Sequence, residues 1–167
     1  VLPFDGDRVW GYREALSAKA LPRSLVVIGA GAIGMEFASF YATLGTQVTV
    51  VEAAPRVLPA SDEDVSMFAE ASMTKEGIQF LTGASLVAGQ VRADGVQLTV
   101  ERGGKNIQLQ AERVLVAAGL VGNLDGLGLE QTRVVVNKGL IEVGDWGVTA
   151  EPGVALVVLV ADCVPIL

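Results

Sequence analysis

Leu25-Val26-Val27-Ile28-Gly29-Ala30-Gly31-Ala32-Ile33-Gly34 decides how this chain folds. A short, unbroken apolar run stopped by glycine predicts a parallel strand buried on both faces, not one that alternates between core and water. Beyond the glycines, apolar residues fall at Ile33, Phe37, Phe40 and Leu44, and Gly45 follows, which predicts an amphipathic helix carrying that stripe. Val48 to Val51 is β-branched and ends in Glu52. Strand, tight turn, helix and strand make a βαβ unit.

Reading outward, a proline-punctuated loop covers Ala53 to Ala60. Ser61-Asp62-Glu63-Asp64 then offers an N-cap and first-turn acids for a second helix, which runs to about Glu76 and stops at Gly77. Ile78 to Leu81 is a third strand. From Ser85 to Ala111 the pattern alternates, broken at Asp94-Gly95 and Gly103-Gly104, two pairs suited to hairpin turns with positive φ. Arg113 to Ala117 returns to a continuous apolar run ending at Gly119, a further central parallel strand. Val1 to Arg23 carries only a short helical pattern from Tyr12 to Lys19, stopped at Leu21-Pro22. The expectation is an α/β fold in three layers: a Rossmann-like βαβαβ parallel sheet with an antiparallel β-meander. Residues 1–23 form a linker or edge segment, 24–153 a nucleotide-binding domain, and 154–167 an atypical hydrophobic tail.

Composition removes several alternatives. Twelve Lys plus Arg against 19 Asp plus Glu leave a formal charge of -7, which repels nucleic acid and anionic membranes. The longest strongly apolar run, Val154 to Ala161, is far short of the roughly 20 residues that span a bilayer. One cysteine, Cys163, and no histidine leave no internal disulfide, no Cys/His zinc cluster and no imidazole base. The chain opens on Val1 without initiator Met or signal-peptide pattern, so it is expected to be a piece of something longer, cytoplasmic, or from the mitochondrial matrix if eukaryotic.

A GxGxxG turn alone is weak evidence, but here a strand precedes it, a helix follows, and an acid ends the next strand. Gly29 permits the sharp turn, Gly31 lets a pyrophosphate approach the backbone, and Gly34 lets helix pack on strand. The helix beginning near Ala32 aims unpaired N–H groups and its positive end at the same place, so Ala32 and Ile33 join the candidate site. Glu52, 18 residues past Gly34, is placed to accept hydrogen bonds from adenosine ribose hydroxyls and to repel a 2′-phosphate. That favours NAD(H) over NADP(H), against which Arg56 stands as a cation able to pair with phosphate.

The longer matches carry a resemblance. Ala20 to Gly29, Gly34-Met35-Glu36-Phe37-Ala38, Val50-Val51-Glu52, Pro55-Arg56-Val57-Leu58-Pro59, Glu76-Gly77-Ile78, Val114 to Ala117 with Gly119, Gly126 to Leu129, and Thr149 to Val154 resemble the NAD domain of the dihydrolipoamide dehydrogenases, flavoproteins of the pyridine nucleotide-disulfide oxidoreductase family. The resemblance implies that NAD+ lies on this domain and accepts a hydride from FAD reduced by a pair of cysteines. It would place Gly29, Gly31, Gly34 and Glu52 on the dinucleotide and Glu36 near the nicotinamide side, where an alternative role is a first-turn acid complementing the helix dipole. Ala118 and Gly119 would border the cofactor, or Gly119 would simply end its strand; Leu120 and Gly122 stand where arginine and proline are usual.

No counterpart of the family's dithiol, FAD-domain glycine turn or C-terminal histidine-glutamate pair occurs in this chain. It is therefore expected to bind NAD(H) without turning over, its natural partners being the FAD and dimerisation domains of a full-length reductase. The alternatives are a free-standing, non-catalytic NAD(H)-binding or sensing module, or a fragment of another disulfide reductase or NADH oxidase. After Val154 the resemblance ends: Asp162 is three positions late for the family's flavin-contacting aspartate. Val158 to Leu167 instead is similar to an alanine-aspartate-cysteine-valine-proline strand of laccase-domain purine nucleoside phosphorylases, where the cysteine helps bind zinc. Without histidine, Cys163 reads as a buried strand residue, and a gene-model join or an altered terminus would explain the tail.

Overall fold

Four consecutive apolar residues, Leu25 to Ile28, have two faces to hide, and the structure, a computed structural model describing residues 2–119, 122–144 and 149, buries both. Leu25 and Val27 enter one core with Trp10, Met35, Ala38, Tyr41, Val48, Val50 and Leu115. Val26 and Ile28 enter a second with Val51, Val96, Leu98, Val100 and Val114. Each such side chain contributes about 1.5–3 kcal/mol of apolar burial. The two cores define three layers, with helices on one side of a parallel sheet and a meander on the other.

The chain divides into two compact units, Val1–Gly119 and Leu120–Leu167. In the first, β1 (Val9–Trp10), β2 (Ser24–Ile28), β3 (Gln47–Glu52), β4 (Gln79–Thr82) and β8 (Arg113–Val116) form the parallel sheet, in the order β1-β8-β2-β3-β4. The antiparallel sheet is β5 (Ala84–Arg92), β6 (Gly95–Arg102) and β7 (Lys105–Ala111). Its second turn, Gly103-Gly104, has φ of 58° and 76°, as a two-residue hairpin with both central residues left-handed requires. The first differs from expectation by one residue. Arg92 pairs with Gly95, so Ala93-Asp94 form the loop, and Gly95 opens β6 where a Cβ would collide with the Ala111 carbonyl.

Residues 1–23 hold more structure than a linker. Val9-Trp10 is the edge strand β1, parallel to β8, and α1 spans Tyr12–Leu16, shorter than the pattern to Lys19. Two residues give no periodicity, so β1 was not legible in the sequence. Asp5 shapes the entry to it, its Oδ1 accepting the N–H groups of Asp7, Arg8 and Val9 at 2.9, 2.7 and 2.8 Å.

Helix α2 (Ala32–Thr43) starts and stops where the sequence places it, but presents a different face. Gly34, Met35, Ala38 and Tyr41 are buried, whereas Phe40 and Leu44 of the apolar stripe are 54% and 49% exposed. The reason lies in Gly34: only its missing side chain lets the helix touch the glycine turn, and the ridge Gly34, Ala38, Tyr41 follows it inward. Tyr41 donates its hydroxyl to the Ala15 carbonyl at 2.6 Å in a buried site and meets Phe40 edge-on at 5.2 Å. Tyr41→Phe is expected to lose about 1–2 kcal/mol, since the Ala15 carbonyl loses its partner. A urea titration measures this, and an unchanged midpoint would show the bond to be immaterial.

Helix α3 (Glu63–Lys75) follows expectation closely, with Asp62 at the N-cap, Glu63 and Asp64 in the first turn and Lys75 in the last, matching the helix dipole at both ends. Gly77 leaves it with φ 96°. In the second unit, Leu129–Gln131 forms a 3-10 turn, and β9 (Val136–Asn137) pairs antiparallel with β10 (Leu140–Ile141). The tail from Val154, with Asp162 and Cys163, lies outside the described residues, as does most of the Thr149 to Val154 stretch. Among the described residues no helix is long and apolar enough to cross a membrane.

Two carboxylates make the first unit acid-sensitive. Burial raises the Asp5 carboxyl, but donation from the Val9, Asp7 and Arg8 N–H groups outweighs it and leaves it below its usual value. Glu112 is lowered chiefly by the Arg23 backbone N–H, against a raising effect of burial, with help from the Arg23 and Arg113 guanidinium groups. Both bind protons less readily folded than unfolded, so their stabilisation is complete above the unfolded pKa of about 4 and is lost as pH falls through the lower folded values. Urea midpoints measured from pH 6 to pH 3 are expected to fall more steeply for the parent than for Asp5→Asn/Glu112→Gln; parallel curves would contradict this.

Candidate functional site

The strand order β8-β2-β3-β4 reverses direction at β2, because the chain winds outward through β3 and β4 before returning to β8 on the other side. In open α/β sheets a ligand crevice opens at such a point, beyond the carboxyl ends of the strands. There the Gly29 N–H donates to the Val51 carbonyl and the Ala117 N–H to the Ile28 carbonyl, both at 2.8 Å, so both turns leave the sheet from ladder positions.

The three glycines answer to different constraints. Gly29 has φ 104°, and a Cβ on it would stand 2.5 Å from the Ala117 oxygen and 2.9 Å from the Ala118 Cα. At Gly34 a Cβ would be driven into the Gly29 carbonyl oxygen. Gly31 is unlike both. Its φ is -72° and its ψ 178°, which any residue adopts, and a Cβ there would meet nothing within 4 Å. Packing among the described residues gives no reason for glycine at 31.

Gly31 is the N-cap of α2 and has no side chain with which to cap it. The first intrahelical bond runs from the Met35 N–H to the Gly31 carbonyl at 3.0 Å, so the N–H groups of Ala32, Ile33 and Gly34 precede the ladder and point, with the positive end of the dipole, at the turn. Ala32 is exposed and Ile33 half-buried. Glu36 is exposed and lies past the first turn of α2, which contains no acid. The first-turn role for Glu36 is thereby corrected: α2 begins at Ala32, which puts Glu36 one position too deep.

Glu52, at the end of β3, reaches back under the turn. Its Oε2 accepts the Ala30 N–H at 2.6 Å and its Oε1 the Ala54 N–H at 2.7 Å. A carboxylate has about four acceptor positions, so each oxygen keeps one for another donor. Ala118 and Gly119 follow β8 and are exposed, Gly119 with φ 143°. The structure thus gathers the Gly29–Gly34 turn, Glu52 and the Ala118-Gly119 turn at one end of the sheet.

Sequence reasoning placed the loop from Ala53 to Ala60 but missed that it holds this arrangement. Val57 is fully buried, and the Leu58 N–H donates to the Ala30 carbonyl at 2.7 Å. Ala30 is therefore held from two sides, by Glu52 at its N–H and by Leu58 at its oxygen. The apolar pair Val57-Leu58 between two prolines was the available signal, since surface loops seldom spend such residues.

The parallel sheet, the turn at its switch point and the acid beyond it define a Rossmann-type α/β domain of the kind found in flavoprotein oxidoreductases. More narrowly, the pyridine nucleotide-disulphide oxidoreductase family matches residues 2–164, and the chain belongs to it. A dihydrolipoyl dehydrogenase of Rhizobium etli is 39% identical over 151 residues, covering 90% of this chain and 31% of its own length. That of Chlorobaculum tepidum is 42% identical over 152 residues, again 90% of this chain and 32% of its own. Among solved structures, LpdA from Mycobacterium tuberculosis superposes with a TM-score of 0.78 at 30% identity, over 93% of this chain and 34% of that one. The flavoprotein disulfide reductase RclA from Escherichia coli follows with a TM-score of 0.73 at 28% identity, over 91% and 35%. The chain spans about a third of the length of these relatives. The resemblance to the dihydrolipoamide dehydrogenases is borne out.

Proposed function

We propose that this chain is the NAD(H)-binding domain of a flavoprotein reductase of the dihydrolipoamide dehydrogenase type. The observation that carries the reading is Gly31, a glycine with ordinary dihedral angles and empty space at its Cβ. A ligand pressed against the backbone accounts for it. The free N–H groups of Ala32 to Gly34 suit a pyrophosphate, and the unused acceptor capacity of Glu52 suits the adenosine ribose hydroxyls on the β3 side, while Ala118 and Gly119 would border the cofactor from the β8 side.

In the full-length protein this domain would accept, on NAD+, a hydride delivered from FAD after a dithiol has been oxidised. What this chain's own residues do is bind and orient: the turn neutralises the pyrophosphate, and Glu52 selects the ribose that lacks a phosphate. A dithiol needs two cysteines and the chain has one, so the chain binds nucleotide without turning over lipoamide by itself.

Calorimetric titration with NADH and NADPH tests this. NADH is expected to bind about tenfold or more tightly than NADPH, one charge repulsion near a partly buried carboxylate contributing about 1.4 kcal/mol or more, and Glu52→Ala is expected to narrow the gap. Tighter binding of NADPH by the parent would reverse the assignment of Glu52.

A further inference from the structure

Arg56 is the cation that competes with the reading of Glu52, four residues beyond it in the loop at the edge of the same site. The structure engages it elsewhere. Its Nη2 donates to the Ser61 carbonyl at 3.1 Å and, more weakly, to the Pro59 carbonyl at 3.4 Å, so the guanidinium closes its own loop. Inside that ring of contacts sits Leu58 with φ 45°, a left-handed conformation costly for a residue with a Cβ.

The strained residue is held at both ends. Its N–H donates to the Ala30 carbonyl at 2.7 Å, and its carbonyl accepts the Ser61 N–H at 2.8 Å and the hydroxyl of Ser66, a buried α3 side chain, at 3.3 Å. A strained backbone persists only where its surroundings over-determine it, and here three separate anchors do so: Arg56 across the loop, Ser66 from α3, and the glycine turn itself.

We propose that Arg56 is a positioning residue that ties the Pro55–Ser61 loop into the shape in which Leu58 braces Ala30. The inference rests on the nucleotide reading of the turn for its consequence, but not for the brace. The brace fixes the peptide that opens the pyrophosphate turn, so loosening it weakens every dinucleotide alike.

Two readouts test this on the whole chain. Amide hydrogen exchange without nucleotide is expected to accelerate about tenfold or more at Ala30 and Leu58 in Arg56→Ala, with amides of β2 unchanged; Ser66→Ala, which loosens Leu58 from α3, is expected to do the same, and Arg56→Lys to recover part of the protection. Titration of the same variants is expected to show NADH and NADPH weakened by a common factor of about three to ten. Unchanged exchange at Ala30 and Leu58 overturns the brace, whether or not any nucleotide binds. A loss confined to NADPH in Arg56→Ala overturns the positioning role, because it makes Arg56 a phosphate ligand. If the parent bound no nucleotide, the nucleotide reading would fall while the exchange result still decided the brace.

Discussion

Gly34→Ala is expected to destabilise the first unit by about 2–4 kcal/mol, although alanine is the better helix former by about 1 kcal/mol. The new methyl would be driven into the Gly29 carbonyl oxygen and would reach the Ala117 Cβ at 3.4 Å. No rotamer relieves a clash between Cβ and backbone. Either α2 lifts from β2, uncovering Ala38 and Tyr41, or the turn unwinds and breaks the bond from Gly29 N–H to Val51. For a chain of this length the loss corresponds to a melting temperature lower by about 5–15 °C, read by calorimetry or by circular dichroism. A melting temperature within a degree of the parent's would mean that helix and turn are not in the contact described.

Gly31→Val separates the ligand's demands from the fold's. Among the described residues nothing beyond its chain neighbours lies within 4 Å of a Cβ at 31, and valine accepts the extended backbone there, so the expected cost is the mild one of a poorer N-cap, about 0.5–1 kcal/mol. Binding of NADH is expected to fall about 100-fold, because two methyl groups would occupy the space a pyrophosphate needs and displace it from charge-assisted N–H bonds together worth about 3 kcal/mol. Parent-like affinity in a folded Gly31→Val chain would remove the observation on which the functional reading stands.

The sequence showed the sheet most clearly where burial leaves least choice. Leu25 to Ile28 and Val114 to Leu115 are apolar at every position because alternate residues enter different cores, and such runs survive in the sequence as a signal. The limits of α2 were equally legible, since Gly31 and Gly45 bracket it. Its buried face was not: apolar spacing marks Ile33, Phe37, Phe40 and Leu44, whereas the contact at Gly34 decides the rotation, and a glycine contributes nothing to a hydrophobic pattern.

The site divides along the same line. The glycine turn and Glu52 were visible because their spacing is dictated by one βαβ unit. The brace from Leu58 to Ala30 and the approach of Ala117-Ala118 to Gly29 join residues 28 or more positions apart, and the first depends on a left-handed leucine that no propensity favours. The position of β1, two residues beside β8, likewise emerges only once the sheet exists.

The central claim is that the turn from Gly29 to Gly34 receives the pyrophosphate of NAD(H), and amide chemical shifts recorded during a titration with NADH test it most directly. Saturable shifts largest at Gly31, Ala32, Ile33 and Gly34, with a smaller set around Glu52 and Ala118, are predicted. Saturation with the turn unmoved and the largest shifts elsewhere, or no saturation at all, would contradict it.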